Sequence, residues 1–299
     1  MIQRSDLGLV VPFFDAAKSP RMLANLSTAL DAIDAAGMRR HTILAECLFP
    51  DRRPAGQAYA DAWTWLPVAG DLLWQKERLI QLGCEALADL GYAKVAYLDA
   101  DFLFLDEDWP AALSAALDRW PVVQSYETLA AEFEDETLED LGALARWQAK
   151  QKCDGRFAGG SWAYRAEVVR RLPIYQYNVV GGGDSTNLWA ATWPEKCPMA
   201  MVGQYSEPMN DHIRTWIRRL RGVLCARDFG YANLRARCLP HGTRLARQYQ
   251  ARHAILKPLD PYEDLLTVRG QGIRWTARAR ERKPEMIRQV ANYLAARAV

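Results

Sequence analysis

The stretch Val95-Ala-Tyr-Leu-Asp-Ala-Asp-Phe-Leu-Phe-Leu105 sets two carboxylates, Asp99 and Asp101, inside an otherwise apolar run. A run this apolar is expected as a strand covered on both faces, as in the parallel sheet of an α/β domain. An ionised carboxylate there is costly unless it is paired or coordinates a metal. Strand alternation places Asp99 and Asp101 on one side and Ala100 on the other, a pincer for a hard cation.

The flanking sequence supplies the rest of such a sheet. Leu7–Pro12 reads as a first buried strand. Ser19-Pro20 caps a helix with Leu23, Leu26, Leu30 and Ile33 at helical spacing, ending near Gly37. His41–Leu48 reads as a second strand with Glu46 near its end, and Asp71–Leu90 as a long helix closed by Gly91. Strands alternating with helices predict a doubly wound, mainly parallel sheet flanked by helices. Ligands in such sheets bind beyond the carboxyl ends of the strands, where Glu46, Asp99 and Asp101 all fall.

Downstream, Ala111–Leu117 is expected as a short helix and Glu127–Gln151 as an acidic surface helix. Phe157–Arg165 ("FAGGSWAYR") reads as a glycine turn into a strand, and Ala166–Leu172 as a short helix. Val179–Ala191 reads as a second glycine-rich turn with Asp184 at a helix cap. Pro208–Leu220 is an amphipathic helix striped by Met209, Ile213, Trp216, Ile217 and Leu220, and Ile287, Val290 and Leu294 mark a final helix.

The chain has 299 residues, half of them hydrophobic, enough for a large core. Six cysteines with no CxxC pair argue against a zinc site and fit reduced thiols. No apolar run is long enough for a bilayer span, and the N-terminal stretch does not read as a secretory signal, so a cytoplasmic protein without stable membrane insertion is expected. The net charge of +2 hides a division: residues 1–211 carry −11 and residues 212–299 carry +13. Such asymmetry points to a polyanionic partner, nucleic acid or an anionic membrane surface, or to solubility alone.

No GK[ST]-ended P-loop is present and no GxGxxG follows the first strand, which demotes ATP hydrolysis and dinucleotide redox chemistry. A cation held by strand-end carboxylates engages phosphate oxygens, and a reaction expelling a nucleoside diphosphate gains most from it. Lys76, Arg244, Arg247 and Arg252 are candidates to meet that diphosphate.

At this point the chain resembles the metal-dependent glycosyltransferases of the GT-A fold. The resemblance rests on Asp99–Asp101, Glu46, "FAGGSWAYR", "GGGD" at Gly181–Asp184 and "HG" at His241–Gly242. It implies a GT-A catalytic domain over residues 1–240, with a nucleotide-sugar half (1–105) and an acceptor half (106–240), and a basic segment (241–299) closing the active site. It implies Mn²⁺ or Mg²⁺ on Asp99, Asp101 and His241, and a UDP-sugar donor. The donor would lie against Pro12, Ala100, Gly159 and Gly160, with Glu46 at the nucleobase and Lys76, Arg244 and Arg247 at the phosphates. Asp184 would be the base that deprotonates the acceptor hydroxyl, with inversion. "HGTRLARQYQARHAIL" (241–256) is similar to the C-terminal signature of phage-type enzymes, some of which glycosylate hydroxymethylated pyrimidines in DNA. A DNA acceptor agrees with the basic C-terminal third. A saccharide or lipid-linked acceptor, and a non-enzymatic nucleic-acid-binding module, are the alternatives.

Overall fold

The computed structural model describes residues 6–50, 53–149, 156–192, 205–240, 242–243, 245–249 and 251–298. Strand β1 (Leu7–Phe13) is buried along its whole length, because both of its faces are covered. Leu7, Leu9, Val11 and Phe13 join one core layer with Leu26, Leu30 and Ile33 of helix α1 (Pro20–Ala35). Val10, between them, joins the opposite layer with Leu79 and Ile80 of helix α2 (Lys76–Asp89). Ser19 caps α1 by accepting from the Met22 amide, with Pro20 at its first position, and Gly37 follows the helix at a φ of +72°.

Strands β2 (Thr42–Leu48), β3 (Thr64–Ala69) and β4 (Lys94–Leu98) run parallel to β1. After them come β5 (Phe102–Phe104), helix α3 (Trp109–Arg119), β6 (Val122–Gln124), β7 (Thr128–Glu132), β8 (Thr137–Leu141), helix α4 (Ala143–Gln148), β9 (Ser161–Arg165), helix α5 (Ala166–Arg171) and helix α6 (Gly183–Thr192). The chain closes with helix α7 (Glu207–Arg221), strands β10 (Phe229–Tyr231) and β11 (Arg235–Cys238), a short helix α8 (Pro261–Asp264), hairpin β12 (Leu265–Thr267) and β13 (Ile273–Trp275), and helices α9 (Ala277–Arg282) and α10 (Pro284–Ala295). The seven-stranded sheet has the order β10-β6-β9-β4-β1-β2-β3, with β9 antiparallel to both β4 and β6. A second sheet, β5-β11-β7-β8, lies beside it. The architecture is mixed α/β, a mainly parallel central sheet flanked by helices.

Three expectations are corrected. The run Val95–Leu105 is not one strand: β4 ends at Leu98, Asp99 to Asp101 form a turn closed by the Phe102 amide on Asp99 O at 2.9 Å, and β5 pairs with β11 in the second sheet. The two apolar halves therefore serve different sheets, which places the carboxylates in the turn between them rather than within a strand. The segment Glu127–Gln151 is not one helix: among its described residues only Ala143–Gln148 (α4) is helical, after strands β7 and β8. Its Leu129 and Ala131 face inward from β7, which pairs with β11 more than a hundred residues later, and Phe133 N donates to Glu136 O at the hairpin turn. Helix α2 starts at Lys76 rather than Asp71. The Asp71 amide donates to Ile273 O, Trp74 N to Val179 O, and the buried Gln75 side chain both donates to Ile273 O and accepts from Ile273 N. Distant partners thus claim the polar groups that an earlier helical turn would use.

The edge strand β3 has no alternating pattern in its sequence "TWLPVA" and carries Pro67, which an edge tolerates. Residues after 241 do not build a separate core: Leu256, Ile273, Val290 and Leu294 pack into the layer that contains α2. Among the described residues, no helix is long and apolar enough to cross a membrane.

Candidate active site

Alternation along β4 decides what lies at its carboxyl end. Val95 and Tyr97 face the α2 side, so the next residue on that side, Asp99, emerges beside the first turn of α2. There Lys76 Nζ donates to Asp99 Oδ2 at 2.6 Å and to Asp184 Oδ2 at 2.9 Å. Tyr97 Oη donates to Asp184 Oδ1 at 2.7 Å. Lys76 is only 7% exposed, so the ammonium is held between two carboxylates with little water. Burial opposes its charge, but the flanking Asp184 and Asp99 outweigh burial and raise its pKa. Burial is the largest influence on Asp99 and, with Asp184 and Asp101 as neighbours, lifts its carboxyl to about 7 although Lys76 pulls it down. The two partners move in opposite senses for ion pairing. We read the 2.6 Å contact as an ion pair at neutral pH, because the ammonium has two acids to satisfy.

Two glycine positions shape this junction. A Cβ on Gly159 would come within 2.7 Å of Asp184 Oδ2, and Gly160, at a φ of +93°, would bring one within 2.7 Å of the Phe102 ring while its carbonyl accepts from Asp99 N at 2.8 Å. Glu77, the residue after Lys76, is buried with both carboxylate oxygens lacking a partner, and a Cβ on Gly183 would meet Oε1 at 2.3 Å. Burial and the nearby Asp184 push Glu77 up to about 8.

These groups open on a cleft of about 560 Å³. Of the residues anticipated from sequence, Pro12, Lys76, Asp99, Ala100, Asp101, Gly159, Gly160, Asp184, Arg247 and Arg252 line it. Glu46 does not. Its carboxylate is buried and accepts from Ala55 N at 2.7 Å, Gly56 N at 2.8 Å and Trp65 Nε1 at 3.0 Å, so it ties β2 to the loop before β3 instead of facing a nucleobase. His241 and Arg244 lie outside the described residues. Asp184 stands in the first turn of α6, one residue inside the helix rather than at its cap.

Tyr97 was missed by sequence reading, although its place two residues before Asp99 on an alternating strand marks it. Trp74, Trp189, His253 and Arg297 also line the cleft and carry no local signal, because the chain delivers them from separate loops and helices. His253 meets Tyr205 Oη at 2.9 Å, and burial, helped by Arg252, depresses it to about 3, so it is neutral at physiological pH.

Among the described residues no group of three His, Cys, Asp or Glu could hold a metal. Two observations fit a divalent cation nonetheless. Asp99 Oδ1 is buried without a hydrogen-bond partner, and Asp101 stands beside it in the same turn at the cleft. Leu239 N donates to Asp101 O at 2.7 Å, which brings the chain to that turn two residues before His241. Oxygen ligands of this kind suit Mg²⁺ or Mn²⁺.

No family model matches the chain, and no curated protein does. Solved structures do. A mannosyltransferase from Pyrobaculum calidifontis, in complex with GDP-Man and Mn²⁺, is 17% identical with a TM-score of 0.39, covering 68% of this chain and 54% of that one. The chain thus spans about half the length of that protein. Glucosyl-3-phosphoglycerate synthase from Mycobacterium tuberculosis is 12% identical with a TM-score of 0.37, covering 98% and 78%. A glucose-1-phosphate thymidylyltransferase from Bacillus anthracis is 10% identical with a TM-score of 0.38, covering 88% and 98%.

Proposed function

We propose that the protein is a metal-dependent glycosyltransferase of GT-A type that moves a sugar from a nucleotide sugar, of the UDP-glucose kind, to a hydroxyl acceptor. The observation that supports this reading best is the convergence of Asp99 and Asp184 on Lys76 at the rim of a parallel sheet, with Asp101 in the same turn as Asp99, all lining one small-ligand cleft. Asp99 and Asp101, with His241 as a further candidate, would hold Mn²⁺ or Mg²⁺, which supplies neutralisation of charge on a departing diphosphate. Lys76 and Arg247 add fixed positive charge at the same rim. Asp184 is the candidate base: Tyr97 and Lys76 each hold one of its oxygens, which orients the carboxylate, and each oxygen retains a lone pair for an acceptor hydroxyl.

Acceptor class turns on the C-terminal charge. The +13 carried by residues 212–299 favours a hydroxymethylated pyrimidine in DNA as one reading. Against it, two of those basic residues, Arg214 and Arg280, pair with Glu207 and Asp71 from outside the segment, and the candidate base Asp184 lines a cleft of about 560 Å³, a size suited to a small molecule. We therefore favour a small hydroxyl acceptor.

The test is release of nucleoside diphosphate from a panel of UDP-, GDP- and dTDP-sugars with Mn²⁺. Release that stops on chelation and in Asp101→Ala supports the reading. No release from any donor overturns it, and a mass shift of nucleosides in hydroxymethylated DNA would restore the DNA acceptor.

A further inference from the structure

Two guanidinium groups that line the cleft have unmet hydrogen-bonding capacity. Arg252 is 6% exposed; its Nη1 donates to Tyr293 Oη at 3.1 Å, and its buried Nε has no partner. It backs the turn that leads to Asp184, since a Cβ on Gly181 would meet Nη1 at 3.3 Å and one on Gly182 would meet Nη2 at 3.5 Å. Arg297 lies over the Trp74 ring at 4.6 Å and over Tyr293 at 5.9 Å, and its buried Nη1 also lacks a partner. Both arginines line the cleft, and neither forms an ion pair among the described residues. Burial, reinforced by Arg247 and Arg252, depresses Arg297 to about 10, so it remains charged at neutral pH while crowded by like charges. Buried charges of one sign are expected to be met by a ligand of the other.

We propose that Arg252 and Arg297 form a binding site for a compact anionic group, a phosphate monoester or a carboxylate, carried by the acceptor. This rests on the glycosyltransferase reading and names its acceptor class. The donor's diphosphate belongs to the Asp99–Asp101 rim, where Lys76 stands, and to Arg247, which lies over the Phe133 ring at 5.0 Å on the side of the second sheet. Arg252 instead sits behind Gly181 and Gly182, two residues from the candidate base. An anion held there presents a neighbouring hydroxyl toward Asp184. Arg252 is too deeply buried to meet the phosphodiester backbone of a duplex, whereas a terminal anionic group on a small molecule can enter a cleft of this size.

The test titrates inorganic phosphate into the full chain by calorimetry, with and without a saturating nucleoside diphosphate, for wild type, Arg252→Gln, Arg297→Gln and the charge-keeping Arg252→Lys. Phosphate is expected to bind in both states. Each glutamine variant should weaken it about tenfold or more, Arg252→Lys less, and nucleoside diphosphate affinity should change less than about threefold. Melting curves identify a variant that misfolds, in which case Arg252→Lys and Arg297→Gln carry the comparison. The proposal is overturned if nucleoside diphosphate expels phosphate, if the variants lose both ligands together, if wild type binds no phosphate, or if duplex DNA competes for the same arginines. Arginine-dependent phosphate binding in a chain that cleaves no nucleotide sugar would sink the glycosyltransferase reading and leave the anion site standing.

Discussion

Lys76 and Asp184 are 108 positions apart in the chain and meet at 2.9 Å, Nζ to Oδ2. The contact joins the first turn of α2 to the first turn of α6, and the same ammonium reaches Asp99 at the end of β4. One buried cation therefore holds together the three elements that build the site. Lys76→Met leaves two carboxylates facing each other without it. Loss of one partner of a buried pair costs about 3–5 kcal/mol. We expect a fall of that order in urea unfolding at neutral pH, and a smaller one near pH 5, where a carboxyl can protonate. An unchanged midpoint would mean the contact has no energetic role.

Glu77 gives the stability a pH dependence of known sign. Its carboxyl, normally near 4.5, is pushed to about 8 by burial and Asp184. The folded chain thus keeps a proton that the unfolded chain releases. The contribution is complete below about pH 4.5 and is lost as pH rises through about 8. Glu77→Gln removes the titration. Its stability relative to wild type should grow across that window, reaching a few kcal/mol above it, at about 1.4 kcal/mol per unit. A difference that stays flat with pH contradicts the assignment.

Glu46 separates a structural acid from a nucleotide-binding one. Losing three accepted hydrogen bonds, from Ala55 N, Gly56 N and Trp65 Nε1, leaves buried donors unsatisfied at about 1–3 kcal/mol each. Glu46→Ala should lower the melting temperature clearly while the donor KM stays within about threefold. A large rise in KM with full stability would return Glu46 to the nucleobase.

What was legible in the sequence follows the range of the forces involved. Strands β1, β2 and β4, with helices α1, α5, α7 and α10, were readable because hydrophobic period and capping residues act within a few positions. Asp99, Asp101 and Asp184 could be singled out for the same reason: carboxylates in apolar or glycine-rich settings stand out locally. The break after Leu98 and the β7–β8 hairpin were not, since both depend on β11, whose sequence lies beyond residue 230. Nor was the pairing of Arg297 with Trp74, which joins residues more than two hundred positions apart. Glu46 was misplaced because a strand-end acid looks the same whether it faces a ligand or three local donors.

Asp184 offers the sharpest chemical test. As a base it must accept a proton while Lys76 and Tyr97 hold its two oxygens. Asp184→Asn keeps the shape but has no proton acceptor of comparable strength, and general base catalysis is worth ~10²–10⁴ in rate. We expect the transfer kcat to fall by at least about 10², with the donor KM little changed, because the proposed role of Asp184 is toward the acceptor and not the nucleotide. Tyr97→Phe removes only an orienting hydrogen bond, so its loss should be near tenfold. If Asp184→Asn retains transfer within a few-fold, deprotonation belongs to another group, and the Lys76–Asp184 contact is purely structural.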